Sequence, residues 1–299
     1  MDDFTNKKRF TFKFWKCKKD MKILKIIIIF LVVLGSLIII KDEITWQFDS
    51  LVSNDNSLDD SSHKEEVDCN VVGIELRGNL VTYISPVNTD EDHNSLDDST
   101  ASENIVGAIM EAERDEKIKA IILEVDSYGG SPVAGEEIAI ALKKTTKPVI
   151  ALIRNSGVSA AYMAASGADK IFASKSSDVG GIGVTMSYLD YVKQNKKEGL
   201  TYISLSSGKF KDTGDPDKTL TLEEKKLLMR DVNIIHQNFI KMVSENRGLD
   251  IEKVEKMADG STMLGEMALE NGLIDEIGGI FEVKDYLKNM IGEDVEICW

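Results

Sequence analysis

Apolar and polar positions divide this chain into three regimes. From Ile26 to Ile40 the residues "IIIIFLVVLGSLIII" contain no charge. A run of that length reads as one slightly short membrane-spanning helix, with Lys22 and Lys25 placed to snorkel to the interface. No small-x-small cleavage site follows, which favours an anchor over a removed signal peptide. From residue 41 to 68 the pattern collapses into nine acidic and two basic side chains among Ser and Asn, the composition of a solvated linker. Beyond residue 69 the apolar positions return with two alternating periods.

Those periods predict the body's elements. "NVVGIELRGNLV" has strand composition, and "SENIVGAIMEAERDEKI" sets Ile105, Val106, Ile109 and Met110 on one helical face behind a Ser102 cap. "IKAIILEV" is an unbroken apolar run suited to a strand buried on both faces. It leads through a loop, "DSYGGSP", into the helix "VAGEEIAIALKKT" and a second buried strand, "KPVIALI". Strand, helix, strand, helix, strand at this spacing implies an α/β fold with a largely parallel sheet. "ADKIFAS" and "VGGIGVTM" read as short strands and turns, and a long amphipathic helix follows, ending near Gly248. "IEKVEKMADGSTMLGEMALENGLIDEIGG" then gives helix, turn, helix and a glycine stop. The expected organisation is a basic tail over 1–25, the span over 26–40, the acidic linker over 41–68 and one domain over 69–299. The repeated hexapeptide "NSLDDS", at Asn56–Ser61 and Asn94–Ser99, reads as shared loop composition.

Charge adds a direction. The first 25 residues hold nine Lys or Arg against three acids, so the chain's net −15 leaves −21 on the remainder. Lysines before the span and Asp42 and Glu43 after it place the amino terminus in the cytoplasm and the body outside. An acidic body excludes nucleic acid as its partner. Cys69 and Cys298 fall beyond the span, where a disulfide is open to them but not required by their spacing; no CxxC or His/Cys cluster points to a metal.

Ligands of open α/β sheets bind beyond the carboxyl ends of strands, which singles out "DSYGG" and "RNSGVSAA". Gly129 and Gly130 offer a loop whose backbone N–H groups can converge on an oxyanion. Ser156, Ser159 and Ser166 lie in one small-residue segment, and their spacing alone does not rank them. A serine nucleophile needs a base, yet His63 and His93 lie in acidic loops and His236 sits within the long helix, as structural or solvated residues. A lysine amine serves when its surroundings leave it uncharged, and "SLSSGKFKDTGDP" offers Lys209 and Lys211.

In unbroken order over roughly residues 70–290, "LEVDSYGGSPVAGEEI", "KPVIALIRNSGVSAAYMAASGADKIFAS", "VGGIGVTM", "SSGKFKD" and "ADGSTMLGEMALENGLIDEIGG" resemble the signal peptide peptidase A family of Ser-Lys proteases. The resemblance implies a crotonase-like fold related to the caseinolytic protease, assembly into rings or bowls, and no cofactor. It implies that Ser159, ten residues before the Asp of Ala-Asp-Lys-Ile, is the nucleophile, and that Lys211 of "SGKFKD" is its base. Gly129 and Gly130 match the family's oxyanion loop. The implied substrates are cleaved signal peptides at the membrane. Tyr128 replaces the family's usual Pro, Ala160 and Ala161 replace glycines, and Gly181 replaces a Ser that hydrogen-bonds the lysine. Two other readings stand beside the protease: a catalytically silent relative acting as a membrane-anchored scaffold or peptide-binding module, and a crotonase-type acyl-CoA enzyme.

Overall fold

A computed structural model describes residues 69–85 and 98–299. The expected span, basic tail and linker, with His63 and His93, lie outside the described residues. Among the described residues no helix is long and apolar enough to cross a membrane.

Among the described residues nine strands form one sheet: β1 (Val71–Val81), β2 (Ser99–Ala101), β3 (Ala120–Gly130), β4 (Val149–Val158), β5 (Lys170–Ala173), β6 (Asp178–Gly180), β7 (Thr262–Leu264), β8 (Glu276–Ile277) and β9 (Ile297–Cys298). Every pairing is parallel except that of β6 with β7. The helices are α1 (Ser102–Arg114), α2 (Pro132–Lys144), α3 (Ala160–Ala165), α4 (Val192–Glu198), α5 (Leu222–Arg247), α6 (Ile251–Met257), α7 (Gly265–Asn271) and α8 (Ile280–Ile291). The parallel α/β expectation is met, and α5 ends as read, at Gly248 in the left-handed conformation.

The long central strands are buried on both faces, which is why they read as continuous apolar runs. Ala120 and Ile122 of β3 pack with Ile150, Leu152 and Phe172 under Val283 and Leu287 of α8. Ile121, Leu123 and Val125 face the other way, into the core shared with α1, α2, α3 and α5. Burying a side chain of this size contributes about 1.5–3 kcal/mol, so both layers matter to stability.

One departure from the sequence reading positions the site. "DSYGG" and "RNSGV" are not loops: β3 continues to Gly130 and β4 to Val158. The pairing shifts register between Val125 and Ser127, where two residues of β3 oppose four of β4, and between Arg77 and Asn79 of β1. Such bulges bend a sheet. Before the shift β4 pairs with β5, and after it with β6, so the sheet divides into two halves that share β1, β3 and β4. A further correction concerns α1. Ser102 is its buried first residue, not its cap, and donates to Glu137 Oε2 at 2.5 Å. Ile105 and Ile109 reach the core, while Met110 stays half exposed because the α1–α2 groove is left open there.

Cys69 and Cys298 are disulfide-bonded, with Cα atoms 5.7 Å apart, where β9 pairs with the start of β1. The bridge closes a loop spanning 229 positions. Constraining so long a loop in the unfolded chain contributes about 2–5 kcal/mol. Cys298→Ser, or reduction of the parent, is therefore expected to lower Tm by roughly 10 °C. Thermal unfolding with and without reductant checks this, and an unchanged melt would refute the bond's contribution.

Candidate active site

Three serines share the β4–α3 segment, and their partners separate them. Ser156 is fully buried: its N–H donates to Asp126 Oδ1 (3.1 Å) and its Oγ accepts from Asn155 Nδ2 (2.8 Å). Ser166, also buried, donates through Oγ to Met163 O (2.6 Å) and accepts from Asn246 Nδ2 (3.0 Å). Ser159 stands where β4 ends and α3 begins, and no described side chain hydrogen-bonds its hydroxyl.

Its backbone is unusual. Ser159 has φ 56° and ψ −126°, the single positive φ of a non-glycine among the described residues. Strain of this kind costs on the order of 1–3 kcal/mol and persists only where neighbours over-determine it. Here the Ser159 N–H donates to Gly180 O (2.8 Å), and its carbonyl accepts from Met163 N (2.9 Å). The sharp strand-to-helix turn lifts the hydroxyl into a cleft of about 570 Å³ lined by Tyr128, Gly130, Val158, Met163, His236 and Phe239, among others.

The sheet bend brings the glycine pair to this serine. A β-carbon on Gly129 would stand 2.9 Å from both Ser159 Cβ and the Ala160 amide nitrogen, and φ at Gly129 is +102°. Glycine is thus required twice over, by space and by dihedral. Gly129 N–H donates to Ser127 Oγ (3.0 Å), which donates onward to Gly78 O (2.6 Å), so the stretch is held from beneath. Gly130 lines the cleft.

The departures from the family pattern have local explanations. Ala161 is fully buried in the core, and its methyl does not line the cleft, whereas Ala160 does. Tyr162 is fully buried and donates to Leu273 O (2.8 Å), and burial pushes its phenol far up. That ties α3 to the segment ahead of β8. Tyr128 is 68% exposed at the cleft rim. At Gly181 φ is +59°, and a β-carbon would meet Val158 Cγ1 at 2.5 Å, so this backbone does not accept a serine there without moving.

Lys211 is not among the residues lining the Ser159 cleft. It lies exposed in a turn, its N–H donating to Gly208 O (3.1 Å), and its ammonium has no partner among the described residues. Lys209 is engaged, pairing with Glu223 at 2.6 Å and lying 5.3 Å from the Phe210 ring centroid. The preceding segment leaves Met186, Leu189, Ile203 and Leu205 exposed, the last almost completely.

The far end of this segment is pinned. Lys218 bridges Asp212 Oδ1 (2.9 Å) and Glu224 Oε1 (2.5 Å), and Thr221 caps α5 reciprocally with Glu224. Lys218 and the Thr221 donors hold the nearly buried Glu224 carboxyl down to about 2. A depressed carboxylate stabilises the fold above its unfolded pKa, about 4.3, and that contribution fades as pH falls toward 2. Glu224→Gln is expected to lower Tm by about 3 °C at pH 7 and by nothing at pH 2, with faster amide exchange over residues 207–218. Equal losses at both pH values would contradict this.

The position of His236 was not legible in the sequence. Read as structural or solvated, it lines the Ser159 cleft from α5. Its spacing from Phe239, three positions away on one helical face, was the available signal.

A family model described as peptidase family S49 matches residues 141–293, which hold Ser159 and Lys211 but begin after Gly129 and Gly130. A protein of Methanocaldococcus jannaschii, provisionally named a protease, is 37% identical over 175 residues, covering 58% of this chain and 56% of the relative. A protein of Enterococcus faecium, provisionally named signal peptide peptidase SppA, is 33% identical over 189 residues, 62% and 55% respectively. Protease 4 of Haemophilus influenzae is 28% identical over 218 residues, 72% of this chain and 35% of the relative. The first two matches thus span little more than half the length of those relatives.

Proposed function

The chain belongs to peptidase family S49, and from that premise we propose that it is a membrane-anchored serine endopeptidase that cuts remnant signal peptides or other short hydrophobic peptides. The observation that carries the reading is Ser159: strained, unpartnered through its hydroxyl, and set in a cleft against the Gly129–Gly130 strand. An uncharged Lys211 amine takes the Ser159 Oγ proton as the oxygen attacks a peptide carbonyl. The Gly129–Gly130 main chain stabilises the tetrahedral oxyanion. The lysine then protonates the leaving amine, and water hydrolyses the acyl-enzyme. The domain has the crotonase-like architecture of the caseinolytic protease, and no cofactor enters.

Lys211 lies outside the cleft of its own chain, on a segment whose exposed apolar side chains include Met186, Leu189, Ile203 and Leu205. The proposed enzyme is therefore an assembly of identical chains in which this segment is covered and Lys211 is delivered to a Ser159. The anchor is the 26–40 run, with the amino terminus cytoplasmic and the 69–299 domain outside. The Cys69–Cys298 bond supports that side of the membrane, because disulfides persist in oxidising compartments.

The test is cleavage of a fluorogenic signal-peptide substrate by the full chain in detergent, with Ser159→Ala as the control. Activity lost in the variant supports the assignment, and activity retained refutes it. The absence of Lys211 from the cleft lining favours one second reading, a silent peptide-binding scaffold, for which the parent itself cleaves nothing.

A further inference from the structure

Two surfaces of this domain lie uncovered, and they differ in charge. The first is the groove between α1 and α2, of about 800 Å³. It stays open because Gly107 presents no side chain, and a β-carbon there would meet nothing within 4 Å. Met110 and Ile140 line it, 50% and 46% exposed. Both helices connect parallel strands, so they run side by side in one direction. Their first two turns carry Glu103, Glu136 and Glu137, and their basic residues Arg114, Lys143 and Lys144 are in the last turn. The groove is therefore acidic at the end where the helices begin. That end adjoins the Ser159 cleft: Pro132 lines the cleft, and Glu137, about 8 Å further along α2, lines the groove.

The second surface is the segment 185–211, in which only Val192 and Asn195 are not exposed. It contains α4, which buries no residue. Ile203 is 76% and Leu205 96% exposed. Contiguous apolar exposure of this kind marks an interaction site. The segment holds five lysines against two acids, in a chain of net −15. Lys193, Lys196 and Lys197 of α4 have no partner among the described residues. No residue of the segment lines the groove of its own chain.

We propose that the 185–211 segment of one copy of this chain docks into the α1–α2 groove of a second copy, Ile203 and Leu205 meeting Met110 and Ile140, and the α4 lysines meeting Glu103 and Glu137. The proposal rests on the reading of the enzyme as an assembly of identical chains, and names the surfaces that join them. Docking takes apolar side chains of both copies out of water. It also matches opposite charges, whereas two such segments facing each other would set lysine against lysine. Because the two patches differ, the contact is head-to-tail and repeats from chain to chain. Lys211 follows Leu205 by six residues, a reach of up to about 20 Å, from a groove whose acidic end adjoins the second copy's Ser159 cleft.

Crosslinking of the full chain in detergent tests the contact. In a Cys17→Ser background, Ile140→Cys and Leu205→Cys are combined in one chain and treated with a short bismaleimide. A ladder extending beyond dimers is expected, and neither cysteine alone should give it. No ladder, or one that stops at dimers, overturns the proposal. Light scattering gives a second readout. Leu205→Asp, at an exposed position where folding is not at risk, should raise the concentration for half-assembly at least about tenfold. Glu103→Lys with Glu137→Lys should act likewise, and adding Lys196→Glu and Lys197→Glu should restore assembly to within about threefold of the parent. A Leu205→Asp chain of parental mass overturns the proposal and leaves a lipid surface or the substrate as the segment's occupant. A ladder from a parent that cleaves nothing sinks only the protease reading; a cleaving, assembled parent without the ladder sinks only this pairing.

Discussion

Ser159→Ala is expected to lower the cleavage rate by at least about 10⁴-fold while shifting Tm by no more than about 1 °C. The two halves of that expectation have separate causes. In the proposed mechanism the hydroxyl is the attacking group, so removing it removes the covalent route. Its loss leaves the fold intact because Ser159 Oγ holds nothing in place, and the strained turn is maintained by main-chain bonds to Gly180 and Met163. Ser156→Ala and Ser166→Ala should behave in the opposite way. Each removes a buried hydroxyl and its hydrogen bond with Asn155 or Asn246, neither of them buried, at a cost of about 1 kcal/mol, with activity retained below the melting transition. Steady-state cleavage and thermal melts of the three variants read both quantities. A Ser159→Ala enzyme that still turns over at the parental rate would move the nucleophile elsewhere.

Lys211→Ala should cost on the order of 10³-fold in kcat, the span of a lost general base. Lys211→Arg should not rescue it, since a guanidinium keeps its proton and cannot accept another. Lys209→Ala is the informative neighbour. Its ammonium already pairs with Glu223 at an exposed surface, where such pairs contribute little, so both rate and Tm should stay near parental values. If Lys209→Ala is the inactive variant and Lys211→Ala the active one, the base has been assigned to the wrong lysine. Mixing Ser159→Ala with Lys211→Ala chains adds a check on assembly, because regained activity requires one chain's lysine to serve another's serine.

Much of this site was legible before any coordinates. The family resemblance, through the offset of Ser159 from Asp169 and the order of the motifs, ranked one serine above its neighbours where local composition could not. The structure separates the three by their partners, engaging Ser156 and Ser166 and leaving the Ser159 hydroxyl without a described partner. The place of His236 at the cleft was not legible for an identifiable reason: a histidine in an amphipathic helix carries no local sign of what the opposite wall of its cleft contains. Ser102 was misread similarly, as its position suited a cap while its hydroxyl was drawn to Glu137, 35 positions away.

By itself, the sequence determined what depends on near neighbours: the two hydrophobic periods, hence parallel strands alternating with helices, the stop of α5 at Gly248, and the candidate residues in linear order. Tertiary structure alone decided what depends on pairing between distant segments. The register shifts of β3 against β1 and β4 turned two expected loops into bent strands and set Gly129 against Ser159. The same long-range contacts joined Cys69 to Cys298 and brought His236 into the cleft, leaving Lys211 outside it. Periodicity is a property of a few consecutive residues, whereas register is settled by the whole sheet as it packs.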